Sequence, residues 1–365
     1  MQNLLLYIDY PSWIQPEIFP GLPILGLIRW YGLMYVFAFT TAFLILRREQ
    51  REGALDEGEY KASEDDIFSF IAWGIVFLLL GARVFSCLVY DTSGDYFKKP
   101  WLIFWPFDPM THKFSGFAGM SYHGGFIGGL LGMILWCAIH KKPLWKWVDA
   151  MCAAIPLGYT FGRIGNFMNG ELYGRITTAP WGMVFPRAKQ AGEVFSASID
   201  WVQEFAAQCG MVIADGQKFV NLPRHPSQLY EAFFEGIVLF ALLWFLRKKK
   251  PFDGFIGCMY AIGYGVFRFI IEYFRQPDSD LGFRLSAAGT SAVGTAVGPA
   301  AGGEAHAIYR NSSLLDISTG QILCALMVTG CLLLLFVLWL LSCRAELRRA
   351  GRGANGTRPA ADTDA

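Results

Sequence analysis

Residues 319–343 read TGQILCALMVTGCLLLLFVLWLLSC, and no charged residue occurs between Asp316 and Arg344. A helix crosses the lipid core with roughly 20 mostly apolar residues, since lipid offers its backbone no hydrogen-bond partners. This run meets that requirement and sets the class of the whole chain. Six further apolar runs precede it, with cores near 23–46, 67–90, 123–140, 145–168, 227–246 and 253–274. The composition agrees. Charged residues make up 17% of the 365 and hydrophobic residues 54%, against about 25% charged in a soluble domain. Aromatics at 16%, including 12 Trp, suit interfacial belts. The net charge of +1 gives no electrostatic basis for binding nucleic acid. The eight cysteines show no C-x-x-C spacing, so neither a disulfide framework nor a zinc site is expected. The N-terminus lacks the charged segment of a cleaved signal, and the first apolar run is expected to stay as a span.

Loop lysines and arginines set the expected orientation. Arg47, Arg48, Arg51 and Lys61 follow the first run, HKKPLWK (140–146) follows the third and RKKKPFD (247–253) the fifth. Arg344, Arg348, Arg349, Arg352 and Arg358 follow the last, while residues 1–22 carry no Lys or Arg. These segments alternate correctly if all are cytoplasmic. The expected fold is an all-α polytopic membrane protein of about seven transmembrane helices, N-terminus outside and C-terminus inside. Residues 1–343 form one integral-membrane domain, with 175–224 as a small extracytoplasmic head. Residues 285–310, rich in Ala, Gly, Ser and Thr, read as a flexible insertion, and 344–365 as a disordered cytoplasmic tail.

Ionisable residues inside spans mark functional sites. Here they are Arg29, Arg83, His123, Arg163, Glu231, Glu235, Arg268 and Glu272, with Arg175 and Arg275 just past span ends. Under the expected topology all fall in the outer half of the membrane, which points to one polar cavity rather than a path across. A transporter would need polar groups at several depths. Tyr264, Arg268 and Glu272 recur every fourth residue and share a helix face, as do Glu231 with Glu235 and Arg163 with Asn166. Gly170 lets the chain leave the helix before Glu171, Gly174 and Arg175. Bland readings compete with these. Arg29 and Arg83 could snorkel, Glu231 and Glu235 could serve only to pair arginines, and Tyr31 could belong to the aromatic belt. No H-E-x-x-H, G-x-S-x-G, H-x4-D or P-loop motif is present. What remains is arginines, amides and a His or Glu at headgroup depth, a set that fits a phospholipid phosphate.

The stretch GRIGNFMNGELYGR (162–175) resembles the signature of bacterial prolipoprotein diacylglyceryl transferases. The blocks IRWYGLMY, GARVFSCLVYD, GMSYHGG, LPRHPSQLYEAFFEG, GYGVFRFIIEYFRQPD and STGQIL stand in the family's order across residues 20–343. The resemblance implies seven spans in the bacterial inner (plasma) membrane and an active site toward the outer leaflet. It also implies transfer of the diacylglyceryl group of phosphatidylglycerol to the lipobox cysteine thiol of a preprolipoprotein signal peptide, without metal or cofactor. On that reading the thiol needs a base, with His123 first and Glu171 or Glu272 as rivals. Arg163 and Arg268 clamp the leaving phosphate. Asn166, Asn169 and Tyr31 donate to headgroup oxygens, and Glu272 orients Arg268, with Tyr264 one turn before it. Glu171 orients Arg163 or Arg175. For Asn169, Gly174 and Arg175 a plain helix-end turn is the competing reading.

Overall fold

The computed structural model describes residues 7–19, 21, 29–90, 94–107, 119–276, 283–285 and 314–355. The chain divides into two compact units, residues 42–151 on one side and residues 1–41 with 152–365 on the other. The protein is mostly helical, and its helices make it a multi-pass membrane protein.

The unit 42–151 is built on a helix pair. Helix α1 (Trp30–Arg51) ends on two arginines. Helix α2 (Glu64–Phe85) starts at a capping box, in which Ser63 and Asp66 satisfy each other's backbone N–H groups. A π-helical turn, Ser86–Tyr90, continues it. A short turn α3 (Asp95–Lys98) and a 3-10 turn, Pro100–Phe104, follow. Helix α4 (Tyr122–Ile139) then packs along α2. Gly81, Gly124, Gly128 and Gly132 make that contact possible. A Cβ on Gly124 would collide with Phe85 and the Gly81 carbonyl, and one on Gly128 with the Phe77 carbonyl. These glycines thus admit the backbone of α2. Ser121 caps α4 by accepting from the Gly124 N–H. Phe70, Trp136 and Trp147 interlock where α5 (Leu144–Met168) begins. Arg83 does not snorkel. It is buried, and its Nε donates to the Ile103 carbonyl at 2.7 Å.

The other unit holds the remaining spans and the head. Helix α8 (Ser227–Glu231) passes through a π-helical stretch, Ala232–Val238, into α9 (Leu239–Leu246). Helix α10 (Phe255–Ile271) follows Gly254, whose φ of +96° suits glycine. Helix α11 (Thr319–Asn355) packs on α10 but leaves Leu323, Leu333, Phe336 and Leu341 exposed, as a lipid-facing helix does. Among the described residues, four segments are long and apolar enough to cross a membrane: Trp30–Arg51, Glu64–Tyr90, Ser227–Lys249 and Thr319–Ala345. His123–Ile139 and Phe255–Ile271 are apolar but shorter, and α5 is diluted by Lys146, Asp149 and Arg163.

The head is not all-α. Strand β1 (Ile8–Asp9) pairs in parallel with β2 (Met183–Val184), and β3 (Phe195–Ser196) pairs antiparallel with β4 (Phe219–Val220). With the short helices α6 (Pro186–Gln190) and α7 (Asp200–Gln208) they enclose an apolar core. Ile176, Phe195, Val202, Phe205, Cys209 and Leu222 fill it. Strand β1 comes from outside 175–224, so the head is wider than its sequence segment. Tyr10 donates to the carbonyls of Phe167 and Met168, two of the last groups of α5. A third pair, β5 (Phe283–Leu285) with β6 (Ile317–Ser318), leads into α11. Residues 286–310 of the expected insertion lie outside the described residues. The tail expected to be disordered from Arg344 is instead helical to Asn355. Its Ala, Glu, Leu and Arg residues are good helix formers and extend the span directly.

Candidate active site

Two helices distant in sequence each deliver an arginine one turn after a tyrosine. On α5, Tyr159 and Arg163 are four residues apart; on α10, Tyr264 and Arg268 are. The two tyrosine rings meet edge to face with centroids 5.9 Å apart. Between the arginines stands Glu231, which is fully buried. Its Oε2 accepts from Arg268 Nη1 at 2.8 Å and lies 3.0 Å from Arg163 Nε, while Arg275 Nε lies 3.9 Å from its Oε1. Both principal arginine side chains keep about a sixth of their surface open, 16% for Arg163 and 14% for Arg268. Two guanidinium groups around one buried carboxylate offset the cost of taking it out of water.

The second layer fixes this pair. Arg268 Nη2 lies 3.4 Å from Glu272 Oε2, and the Ser318 hydroxyl donates to Glu272 Oε1 at 3.1 Å. Glu272 therefore sits beside Arg268, as the helical spacing suggests. Glu235, also fully buried, accepts from the Tyr159 hydroxyl, and its Oε1 lies 3.9 Å from Arg268 Nη1. The π turn that holds Glu235 packs closely on α5. A Cβ on Gly236 would collide with Thr160 Oγ1, whose hydroxyl reaches the Ala232 carbonyl. π turns are frequent at functional sites, and this one carries a residue of the cluster.

The rim follows from the end of α5. Gly170 takes φ +63° and turns the chain out, as expected. Leu172 also has positive φ, +56°, a conformation costly for a side-chain-bearing residue. Asn166 Oδ1 lies 3.5 Å from Arg163 Nη1, and its Nδ2 donates to Glu171 Oε1 at 3.2 Å. Asn169 Nδ2 donates to the same oxygen at 3.1 Å. Glu171 pairs with neither Arg163 nor Arg175: its arginine is Arg187 of α6, 3.1 Å away. That partner comes from the head, so no local spacing points to it.

Gly174 and Arg175 stitch the rim to other segments. The Gly174 N–H donates to the His225 carbonyl and the Arg175 N–H to the Phe274 carbonyl, while Arg175 Nη1 reaches the Tyr273 carbonyl at 2.6 Å. A Cβ on Gly174 would collide with the Phe274 carbonyl. Arg175 is buried, and burial lowers its pKa to about 10 against the pull of Glu272 and Asp316. Burial, then the charge of Arg175, lowers the His225 pKa to about 4.

Tyr31 packs against Gly165, two residues after Arg163 on α5, and bonds Tyr35 through its hydroxyl at 3.1 Å. His123 belongs to the other unit. It lies exposed at the start of α4, with Nδ1 3.0 Å from the Tyr90 hydroxyl. Sequence reasoning placed Glu231 and Glu235 in the polar cavity, with arginine pairing as the competing reading, and passed over Tyr159 and Arg187. For Tyr159 the signal was present, since it precedes Arg163 as Tyr264 precedes Arg268.

The family model for prolipoprotein diacylglyceryl transferase matches residues 22–337. The phosphatidylglycerol–prolipoprotein diacylglyceryl transferase of Treponema pallidum is 50% identical over 349 residues, covering 95% of this chain and 99% of that protein. Its namesake from Treponema denticola is 52% identical over 343 residues, covering 92% and 96%. That of Borreliella burgdorferi is 39% identical over 332 residues, covering 89% and 92%.

Proposed function

The chain belongs to the prolipoprotein diacylglyceryl transferase family, and from that membership and the arginine cluster we propose how it acts. It transfers the diacylglyceryl group of phosphatidylglycerol to the lipobox cysteine thiol of preprolipoproteins, the first step of lipoprotein maturation. The thiolate sulfur forms a bond to the glyceryl carbon, the C–O bond to phosphate breaks, and glycerol phosphate leaves with the electron pair. The thiol proton goes to a base on the enzyme.

One observation carries this reading: Arg163 and Arg268, from separate helices, converge on a single carboxylate oxygen at 3.0 and 2.8 Å. Two guanidinium forks held that close form a site for a phosphate, and they act where negative charge grows as glycerol phosphate departs. Glu272 orients Arg268, and Asn166 with Glu171 steadies Arg163. Tyr31, Asn166, Asn169 and Tyr264 face the headgroup. Gly174 and Arg175 hold the rim against the end of α10. His123 is the first choice for the base, its ring oriented by Tyr90. The protein sits in the bacterial inner membrane with seven spans, N-terminus and head outside and C-terminus in the cytoplasm. The site thus opens to the outer leaflet, where the signal peptide's cysteine emerges.

Membranes carrying the protein, given phosphatidylglycerol with a labelled diacylglyceryl group and a lipobox peptide, yield a labelled thioether product. Arg163→Ala and Arg268→Ala abolish the label while the protein still inserts. Full activity in both variants contradicts the clamp, and flux of lipid headgroup without covalent product favours a transporter instead.

A further inference from the structure

We infer that Tyr159 is a further positioning residue of this reaction, a side chain that joins Glu231 in tying both arginines of the clamp to a common frame. Its ring lies under Arg163, with the guanidinium carbon 4.7 Å from the ring centroid. Its hydroxyl stands 3.3 Å from Glu231 Oε2, the oxygen that both arginines share, and donates to Glu235 Oε2. Glu235 in turn stands beside Arg268. The edge of the ring meets Tyr264, which precedes Arg268 by one turn. Arg163 is therefore held by a π face and Arg268 through the carboxylates that the same hydroxyl orders.

The local sequence explains how one residue does this. Tyr159 and Arg163 are i and i+4 on α5, so the ring lies directly beneath the guanidinium. The π turn Ala232–Val238 presents Glu235 to the same hydroxyl as Glu231, and Gly236 brings that turn against α5. A tyrosine whose role was only to fill space would need no hydroxyl here, and phenylalanine would serve. Tyr159 does not touch the reacting atoms in this account. It sets the angle at which the two forks meet the departing phosphate, and small errors in that angle are costly in the transition state.

The inference rests on the transferase reading, and one set of assays separates the two. The wild-type protein, Tyr159→Phe, Glu235→Leu and the double variant are compared in membranes with phosphatidylglycerol and a lipobox peptide. Tyr159→Phe keeps the ring under Arg163 and loses only the hydroxyl. The expected result is a fall in kcat of roughly 10- to 100-fold, the scale of a lost hydrogen bond to a charged group. KM for phosphatidylglycerol stays within about threefold, because both arginines remain to attract the headgroup and only transition-state alignment suffers. Glu235→Leu shows the same loss, and the double variant is no worse than either single one, since both break the same link. Should Tyr159→Phe fail to insert, the Glu235→Leu loss of kcat at unchanged KM still carries the test. A Tyr159→Phe kcat at the wild-type level overturns the inference and leaves the transferase reading standing. So does a double variant whose losses multiply. A wild-type protein that makes no product overturns both.

Discussion

Arg163 and Arg268 matter because a guanidinium can serve two oxygens at once. Arg268 reaches Glu231 through Nη1 and Glu272 through Nη2. A lysine carries the same charge as a single point and cannot span that fork. Arg268→Lys is expected to insert normally yet lose on the order of 100-fold in kcat, the cost of one missing transition-state donor; a steady-state assay in membranes measures it, and wild-type kcat would contradict it. The charged members of the site were legible because charge inside an apolar run is conspicuous and helical spacing assigns a face. Their partners were less so. Tyr159 hides among aromatics that normally pack or line the interface, and Glu171 finds Arg187 only through the folding of the head. Arg83 shows the reverse error: its position invites a snorkelling reading, but a bond to the Ile103 carbonyl keeps it buried.

At the level of elements, the closest contacts are set by missing side chains. Gly124, Gly128 and Gly132 lie on one face of α4 and bring it against α2. Gly128→Leu has no room beside the Phe77 carbonyl and is expected to destabilise the protein by about 3 kcal/mol or more. A thermal melt of the detergent-solubilised protein checks this, and an unchanged melting temperature would refute the packing. The sequence alone does not say which helix these glycines meet, because a small-residue stripe carries no address. His225 gives a second test, just before α8. Burial and Arg175 depress its pKa from 6.5 to about 4 in the folded protein. Between those values the unfolded chain binds more protons than the folded one, so protonation favours unfolding. Stability contributed by neutral His225 is complete above pH 6.5 and declines as the pH falls toward about 4. His225→Asn should flatten that part of the melting-temperature profile; an identical slope in the variant would remove His225 as its cause.

Across the whole molecule, the sequence pattern conveys a membrane-embedded helical chain because lipid imposes long apolar helices. It marks 175–224 as a head but does not convey the short strands there, which pair segments as distant as Ile8 and Met183. It also misjudges the end of α11, where charged helix formers carry the span on to Asn355. The site draws on nearly all of this: α5 supplies Arg163, α10 supplies Arg268, the π turn beyond α8 supplies Glu235, and the head supplies Arg187. The account's central claim is that these elements exist to hold one phosphate between two arginines. A structure of the protein with phosphatidylglycerol bound tests it most directly. The account predicts phosphate oxygens within hydrogen-bond distance of both Arg163 and Arg268; a headgroup seated elsewhere, with both arginines still closed on Glu231, would contradict it.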